Sequence, residues 1–305
     1  MAPNVRLDSG PVTWPAIVVH GGAGTYERLS PDTTGARELE AALQAAIGAA
    51  LDAGWSVLEG GDPVGAVVAA VEFLEHHGGF NAGRGSVPNT DGDIEMDAAV
   101  MDDAGRAGAV ACMGAYSPIR SAEAVMHVDG PLLLAGPNAD AFAARAGVTR
   151  LEPASRSAAR VADPAAFGEA LSEKGTVGAV AVSGDGRFAA ASSTGGRPGQ
   201  LPGRVGDTPI PGAGLWAQPR CAVSATGAGE AFVLAGFSRL VGSRLVAGED
   251  PSSALHAGLD AVNRYGGTGG SIVLGSDRTW AAAYSTAAMA RGVRHRAGRY
   301  ATCLD

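Results

Sequence analysis

Apolar positions along this chain follow two spacings, and each spacing predicts a different element. Residues 16–20 (AIVVH) begin with four apolar residues, which predicts a buried strand ended by Gly21, Gly22 and Gly24. From Ala36 to Ala53 the positions Leu39, Ala42, Leu43, Ala46, Ile47, Ala50 and Leu51 keep helical spacing, and Gly54 reads as the C-cap. Asp62 before Pro63 gives an N-cap and a first helical residue, predicting a second helix to about Glu75. A glycine-rich loop (HHGGFNAGRGSV) and an acidic one (NTDGDIEMD) follow, then short strands near 97–102 and 107–113. A helix from Ser117-Pro118, a strand LLLAG and a helix after Asn138 complete the first half.

Residues 150–175 break this pattern. The segment ASRSAARVADPAAFGEALSEKG is rich in Ala, Ser and charge, and holds at most one short helix after Asp163-Pro164. It reads as an exposed, mobile connector. Beyond it the sequence turns strongly β. VGAVAVS, a Gly184-Asp185-Gly186 turn and RFAAASST predict a hairpin. A Gly/Pro-rich loop (GGRPGQLPGRVGDTPIPGAG) leads to a strand, CAVSAT. Helices over about 229–247 and 251–264 precede a last hairpin, SIVLGSDRTWAAAYST. Strands clustered before and after helices predict an α/β chain of two packed sheets, helices outside, fused in one domain.

Composition narrows the partners. With 305 residues, 46% of them hydrophobic, the chain can bury a sizeable core. Many of the 46 glycines flank short apolar runs, where they allow tight turns and close approach of main chain. A net charge of −8 argues against nucleic acid and anionic membrane surfaces. The basic stretch Arg291–Arg299 (RGVRHRAGR) reads as a solvated edge strand or tail, because no aromatic platform is interleaved with it. Cys112, Cys221 and Cys303 are odd in number and share no metal-ligand spacing, which predicts a reducing, cytoplasmic setting. The first residues lack the apolar core of a signal peptide, and the apolar stretches are interrupted short of a membrane span.

Common catalytic signatures are missing: there is no GxSxG, HExxH, CxxC or Walker A string. Gly266-Gly267-Thr268-Gly269-Gly270 lacks the lysine of a phosphate loop. Asn89, Asp91 and Asp93 hint at a calcium loop, but Ile94 stands where such a loop requires glycine, so a solvated acidic turn is predicted. His76 and His77 are adjacent and cannot face one metal from a helix. What remains is a connector ending in Gly175 and a strand starting at Thr176. A threonine there is ordinarily a β-former. If the 175–176 bond breaks, however, Thr176 gains a free α-amine beside its hydroxyl. An α-amine has a pKa of about 7.7–8.0, so one residue then supplies nucleophile and base. Gly175, without Cβ, permits the strained backbone from which the hydroxyl attacks the preceding carbonyl.

Other residues would complete such a site. Thr194 ends the hairpin's second strand and can hydrogen-bond Thr176. Arg204 and Asp207 can grip the α-carboxylate and α-ammonium of one amino acid. Thr226 and Gly227 can form an oxyanion hole, worth about 3 kcal/mol per donor. The ordinary alternatives are ion pairing for Arg204 and Asp207 and a helix cap for Thr226.

These segments resemble the plant-type (type 2) asparaginase and isoaspartyl peptidase family of N-terminal nucleophile (Ntn) hydrolases, which also contains aspartylglucosaminidase. The strings that carry the likeness are HGGAG (20–24), FNAGRGSV (80–87), MDAAVMDD (96–103), GTVGAVAV (175–182), STGG (193–196), LPGRVGD (201–207), ATGAGE (225–230) and GGTGGSI (266–272). They stand in family order over almost the whole chain. The resemblance implies a four-layer αββα sandwich, cut into an α subunit (1–175) and a β subunit (176–305). It implies hydrolysis of L-asparagine to aspartate and ammonia, of β-aspartyl dipeptides, or of both. By position Thr176 matches the nucleophile, Thr194 its hydroxyl neighbour, Arg204 the carboxylate anchor and Asp207 the amine anchor. Thr226 and Gly227 match the oxyanion hole, Gly229 a nearby main-chain contact, Asn81 a site-lining asparagine, and Gly21-Gly22 a loop linked to autoprocessing.

No cofactor is implied beyond a structural sodium ion, held by main-chain carbonyls of Leu74, Glu75, His77, Phe80, Ala82 and Arg84. A homodimer of αβ units is implied by the resemblance alone. The chain departs from the family in a shorter connector and in Ala287-Ala288, where the family commonly has another residue followed by glycine. Two alternatives stand beside this reading: an aspartylglucosaminidase-like amidase, disfavoured by the cysteine pattern, and an unprocessed relative that only binds.

Overall fold

Strands buried on both faces need apolar runs, and Ala16–Val19, Val177–Val182 and Phe188–Ala191 supply them here. The computed structural model describes residues 5–24, 34–151 and 175–302. In chain order the elements of the first half are β1 (Arg6–Pro11), β2 (Ala16–Gly24), α1 (Thr34–Leu58), α2 (Pro63–His77), a 3-10 turn (Gly83–Gly85), β3 (Met96–Asp102), β4 (Ala107–Met113), α3 (Pro118–Met126), β5 (Leu133–Ala135) and α4 (Pro137–Arg145). The second half holds β6 (Val177–Val182), β7 (Phe188–Thr194), β8 (Leu215–Gln218), β9 (Cys221–Gly227), α5 (Gly229–Ala235), α6 (Phe237–Val246), α7 (Pro251–Arg264), β10 (Gly269–Gly275), β11 (Thr279–Tyr284), β12 (Ala288–His295) and β13 (Gly298–Thr302).

Two sheets form. The larger runs β13-β12-β2-β6-β7-β3-β4-β5 and the smaller β1-β11-β10-β9-β8. Every pairing is antiparallel except β4 with β5. Side chains alternate between faces, so each strand serves two cores. In β2, Ile17 and Val19 pack with α1 and α2, whereas Ala16 and Val18 pack against the other sheet. In β9, Val223 and Ala225 pack with α5–α7, whereas Ala222 faces inward. The result is a four-layer αββα sandwich, as the resemblance implies: helices, large sheet, small sheet, helices.

Capping fixes several boundaries. Asp62 accepts the Gly65 N–H at 3.0 Å, and α2 ends at Gly78 in the left-handed region (φ 75°). Ser117 caps α3 and Asp250 caps α7, each followed by proline.

The structure corrects four expectations. First, β2 does not stop at Gly21 but runs on to Gly24, because β12 pairs alongside it there (Ala288 with Gly24, Met289 with Ala23). Second, Gly54 is not a C-cap. It lies inside α1, where a Cβ would strike Ile17 and the Ala66 carbonyl, so this glycine lets α1 approach both β2 and α2. Third, the helix expected over 229–247 is two helices, broken at Gly236 (φ 55°). Fourth, the basic stretch is no simple edge. β12 lies between β13 and β2, and Arg291 is only 2% exposed, stacked over Tyr284 and paired with Asp8 at 3.3 Å.

Glu40–Leu58 is long and apolar enough to cross a membrane by length and composition, yet half of it is buried, with Leu43, Ile47 and Leu51 in the helix–sheet core. The connector before Gly175, its helix after Asp163-Pro164, and Cys303 lie outside the described residues.

Candidate active site

The inward faces of the two sheets are apolar along most of their length and turn polar at one end. His20, Ser192, Thr194, Ser224 and Thr226 continue the inward rows begun by Val18, Ala190 and Ala222. Thr176 stands one residue before β6, and the Val177–Ser193 pair sets it across from Thr194. Here a cleft of about 320 Å³ opens, lined among others by Asn81, Gly175, Thr176, Thr194, Arg204, Asp207, Thr208, Gly227, Thr286 and Ala287.

The 175–176 junction is packed from two sides. Gly22 adopts φ 106°, and a Cβ there would lie 2.7–2.9 Å from the oxygen, nitrogen and carbon of Gly175. A Cβ on Gly175 would strike the Thr226 hydroxyl. Glycine is therefore required at both places by close approach, and at Gly22 also by its left-handed backbone. Gly21 beside it packs against the Phe80 ring. Thr226 accepts the Ala23 N–H at 3.4 Å and does not cap a helix, because the N-cap position of α5 is Ala228. Gly227, at φ 150°, lines the cleft next to it.

Behind the junction, His20 shares a hydrogen bond with Ser224 (3.0 Å), which in turn meets Ser192 (2.7 Å). Burial pushes the His20 ring down to about 3, with the Thr176 main chain acting weakly the other way. The ring is thus a neutral strut at neutral pH and no proton carrier.

Thr194 was expected to hydrogen-bond Thr176, and the structure corrects this. Its hydroxyl accepts the Gly196 N–H at 3.2 Å, and the hydroxyl within reach of Thr176 belongs to Thr208, at 3.2 Å. Asn81 holds the same turn, donating from Nδ2 to the Gly196 carbonyl at 2.6 Å and accepting the Gly195 N–H at its own carbonyl. Its buried Oδ1 has no partner among the described residues.

Arg204 and Asp207 do not pair with each other on the surface. Arg204 forks onto Glu230, with Nε to Oε1 at 2.9 Å and Nη2 to Oε2 at 3.0 Å, and this holds the Glu230 carboxyl down to about 2. Asp207 is 3% exposed, and its Oδ2 has no hydrogen-bond partner among the described residues. Burial pushes its carboxyl up to about 7. Gly229 fits between them: a Cβ there would lie 2.9 Å from both Arg204 Nη2 and Asp207 Oδ1.

Beneath this loop Asp97 accepts the Cys112 N–H at 2.8 Å, faces the Gly206 N–H and the Arg204 charge, and is pushed up to about 6 by burial. Sequence reasoning did not single out Thr208, Glu230 or Asp97. Thr208 directly follows Asp207, and Glu230 and Asp97 lie inside the ATGAGE and MDAAVMDD strings, so position beside a motif was the available signal.

Leu74, Glu75, His77, Phe80, Ala82 and Arg84 sit at the end of α2 and in the turn after it, behind Ser193 and Thr194. The Glu75 side chain points inward, accepting from Ser193 (2.6 Å), Ser117 (2.7 Å) and the Ile119 N–H (2.9 Å), and burial raises it to about 7. Gly85 packs onto the Phe80 and Gly78 carbonyls, where a Cβ would collide. Among the described residues no cluster of His, Cys, Asp and Glu is placed to hold a metal ion.

A family model described as asparaginase matches residues 13–304. The chain is 41% identical over 292 residues to a plant-type L-asparaginase of Pyrobaculum calidifontis, covering 90% of this chain and 95% of that protein. It is 38% identical to an isoaspartyl peptidase/L-asparaginase of Danio rerio, covering 90% of each. To an isoaspartyl peptidase of Escherichia coli it is 35% identical, covering 90% of this chain and 91% of the relative. A match of this extent, on an αββα frame whose motif residues meet at one cleft, makes the chain a member of the plant-type asparaginase and isoaspartyl peptidase family of Ntn hydrolases.

Proposed function

We propose that this chain cuts its own Gly175–Thr176 bond into fragments 1–175 and 176–305, and then hydrolyses L-asparagine and β-aspartyl dipeptides with Thr176 as nucleophile. The observation that carries this reading is the meeting of Gly22, Gly175, Thr176 and Thr226 at one packed junction, beside an unpaired buried carboxylate and a held guanidinium.

In maturation the Thr176 oxygen attacks the Gly175 carbonyl carbon. The C–N bond breaks as the ester forms, the hydroxyl proton ends on the Thr176 nitrogen, and water hydrolyses the ester. In turnover the freed α-amine takes the hydroxyl proton while the oxygen attacks the side-chain amide carbon of the substrate. The departing ammonia or amino acid carries the proton away, and water resolves the acyl-enzyme. The Thr226 hydroxyl and the Gly227 N–H serve the oxyanion.

Glu230 takes two of the five N–H groups of Arg204, which leaves three for the substrate α-carboxylate. Asp207 receives the α-ammonium. Ala287 borders the cleft with a small side chain, leaving the leaving-group side open to ammonia or an amino acid.

Carbonyl oxygens are suitable donors for a hard cation, and the Gly78 and Phe80 carbonyls converge on Gly85. A sodium ion at the end of α2 would therefore be held by main chain alone and would stiffen the turn that carries Asn81. The free thiols of Cys112 and Cys221 agree with a cytoplasmic setting, and a dimer of αβ units is the assembly the family suggests.

Denaturing mass spectrometry of the purified protein should give two fragments meeting at 175/176. Ammonia and dipeptide release over a small panel of β-aspartyl substrates then ranks them. A chain that stays whole indefinitely overturns the reading.

The pH profile supplies a second check. The Asp207 carboxyl, raised to about 7, must be ionised to hold an ammonium, and the α-amine, near 7.7–8.0, must be unprotonated to act as base. Both conditions fail as pH falls, so kcat/KM should drop below pH 7 with a limiting slope near two on logarithmic axes. Asp207→Asn should lower kcat/KM throughout and reduce that slope to one. An unchanged slope would remove Asp207 from the ammonium-binding role.

A further inference from the structure

We propose that Thr208 is the residue that aims the Thr176 hydroxyl for self-cleavage. This rests on the self-cleaving reading above. Before the cut, the nitrogen of Thr176 is an amide whose lone pair is delocalised into the Gly175 carbonyl. The α-amine that serves as base in the mature enzyme therefore does not yet exist, and the hydroxyl depends on its neighbours for direction.

Thr194, Thr208 and Thr226 lie around the 175–176 junction, and their hydroxyls differ in what they touch. Thr194 accepts the Gly196 N–H at 3.2 Å and Thr226 accepts the Ala23 N–H at 3.4 Å. Thr208 alone is in hydrogen-bond contact with the Thr176 oxygen, at 3.2 Å, and it is 1% exposed.

Thr208 is also held against drift. The Asp207 carbonyl accepts both the Ile210 N–H (2.9 Å) and the Gly214 N–H (3.1 Å), closing a tight loop, and a Cβ on Gly214 would lie 2.7 Å from the Thr208 Cα. A β-branched side chain on so fixed a backbone is restricted at χ1, so the hydrogen bond also steadies the Thr176 side chain. Thr208 is a positioning residue: it neither forms nor breaks a covalent bond, and the net proton transfer of the acyl shift stays within Thr176, from oxygen to nitrogen. The same loop sets Asp207 against the cleft one residue earlier, so one turn serves maturation and substrate binding together.

The test compares Thr208→Val, which keeps shape and removes the hydroxyl, with Thr208→Ser, which keeps the hydroxyl. Maturation is followed by denaturing mass spectrometry from freshly folded, uncut protein, and kcat and KM are measured on the fully cut fraction. A lost hydrogen bond at the reacting oxygen should slow maturation of Thr208→Val about tenfold. The kcat of its cut form should fall by a smaller factor, because the free α-amine by then acts on the hydroxyl from within the same residue. Thr208→Ser should mature within about threefold of wild type. Equal losses in maturation and kcat, wild-type maturation of Thr208→Val, or failure of serine to rescue would each overturn the assignment. If Thr208→Val does not fold, serine against alanine makes the same comparison. A wild-type chain that never cuts defeats the underlying reading instead, which separates the two failures.

Discussion

Thr176→Ala should leave the chain whole after prolonged incubation and bring amide hydrolysis down by about four orders of magnitude or more, the scale seen when a covalent nucleophile is removed. Two losses coincide in this variant. Without the hydroxyl there is no attack on the Gly175 carbonyl, so the α-amine is never released, and turnover loses nucleophile and base together. The fold should survive, because Thr176 is a small side chain just before β6 and its removal strands only the Thr208 hydroxyl. Thermal melting of the variant against wild type checks that point, and fragment mass and ammonia release check the other two. Thr176→Ser keeps the hydroxyl and should cut, which distinguishes lost chemistry from lost structure. Cleavage of Thr176→Ala at the same bond would show that another group breaks it.

Arg204→Ala should separate the two activities that Thr176→Ala removes together. Arg204 contacts neither Gly175 nor the Thr176 hydroxyl in any hydrogen bond, so self-cleavage should proceed. Substrate binding should suffer heavily, because truncating one partner of a buried charge pair costs about 2–5 kcal/mol, a rise in KM of roughly 30-fold to several thousandfold. Arg204→Lys should recover only part of this. A lysine places one point charge where the guanidinium grips Glu230 with two N–H groups and, in the proposed role, would grip the substrate carboxylate with others. The variant also has an internal signature. Glu230 loses the hydrogen bonds that hold it down to about 2, so its carboxyl should return toward the ordinary glutamate range, readable by NMR titration. An unchanged KM on the cut enzyme would remove Arg204 from the anchor role.

Much of the fold was legible because local chemistry marks boundaries. Asp62-Pro63, Ser117-Pro118 and the turn at Gly184-Asp185-Gly186 each announced an element that the structure contains. Glycine was the main source of error, because the same residue type ends elements and lets them approach. Gly54 and Gly21 looked like stops and are contact points, whereas Gly236 sits inside what read as one helix and breaks it. β1 and β8 escaped notice because edge strands such as RLDSGP carry no sustained apolar pattern.

The candidate site was legible as a set of positions, since Thr176, Thr194, Arg204, Asp207, Asn81 and Gly227 all border one cleft. Their partners were not. That Thr208 rather than Thr194 meets the Thr176 hydroxyl, and that Glu230 rather than Asp207 meets Arg204, depends on how a loop and a helix start pack in three dimensions. No spacing rule carries that information.

The order of strands in the large sheet has a consequence for the life of the molecule. A cut at 175/176 would leave a sheet woven from two polypeptides. β13 and β12 belong to the second piece, β2 to the first, β6 and β7 to the second, and β3, β4 and β5 to the first. The small sheet repeats this, with β1 from the first piece on the edge of β11 from the second. While the chain is continuous, the connector keeps these strands at a high effective concentration of one another. Once it is cut, that tether is gone and reassembly becomes a bimolecular event. The uncut chain would refold from denaturant at a rate independent of dilution, whereas the matured enzyme would recover less as it is diluted. Such a scission would act as a ratchet, by which the molecule would gain its nucleophile and give up the means of finding its own fold again.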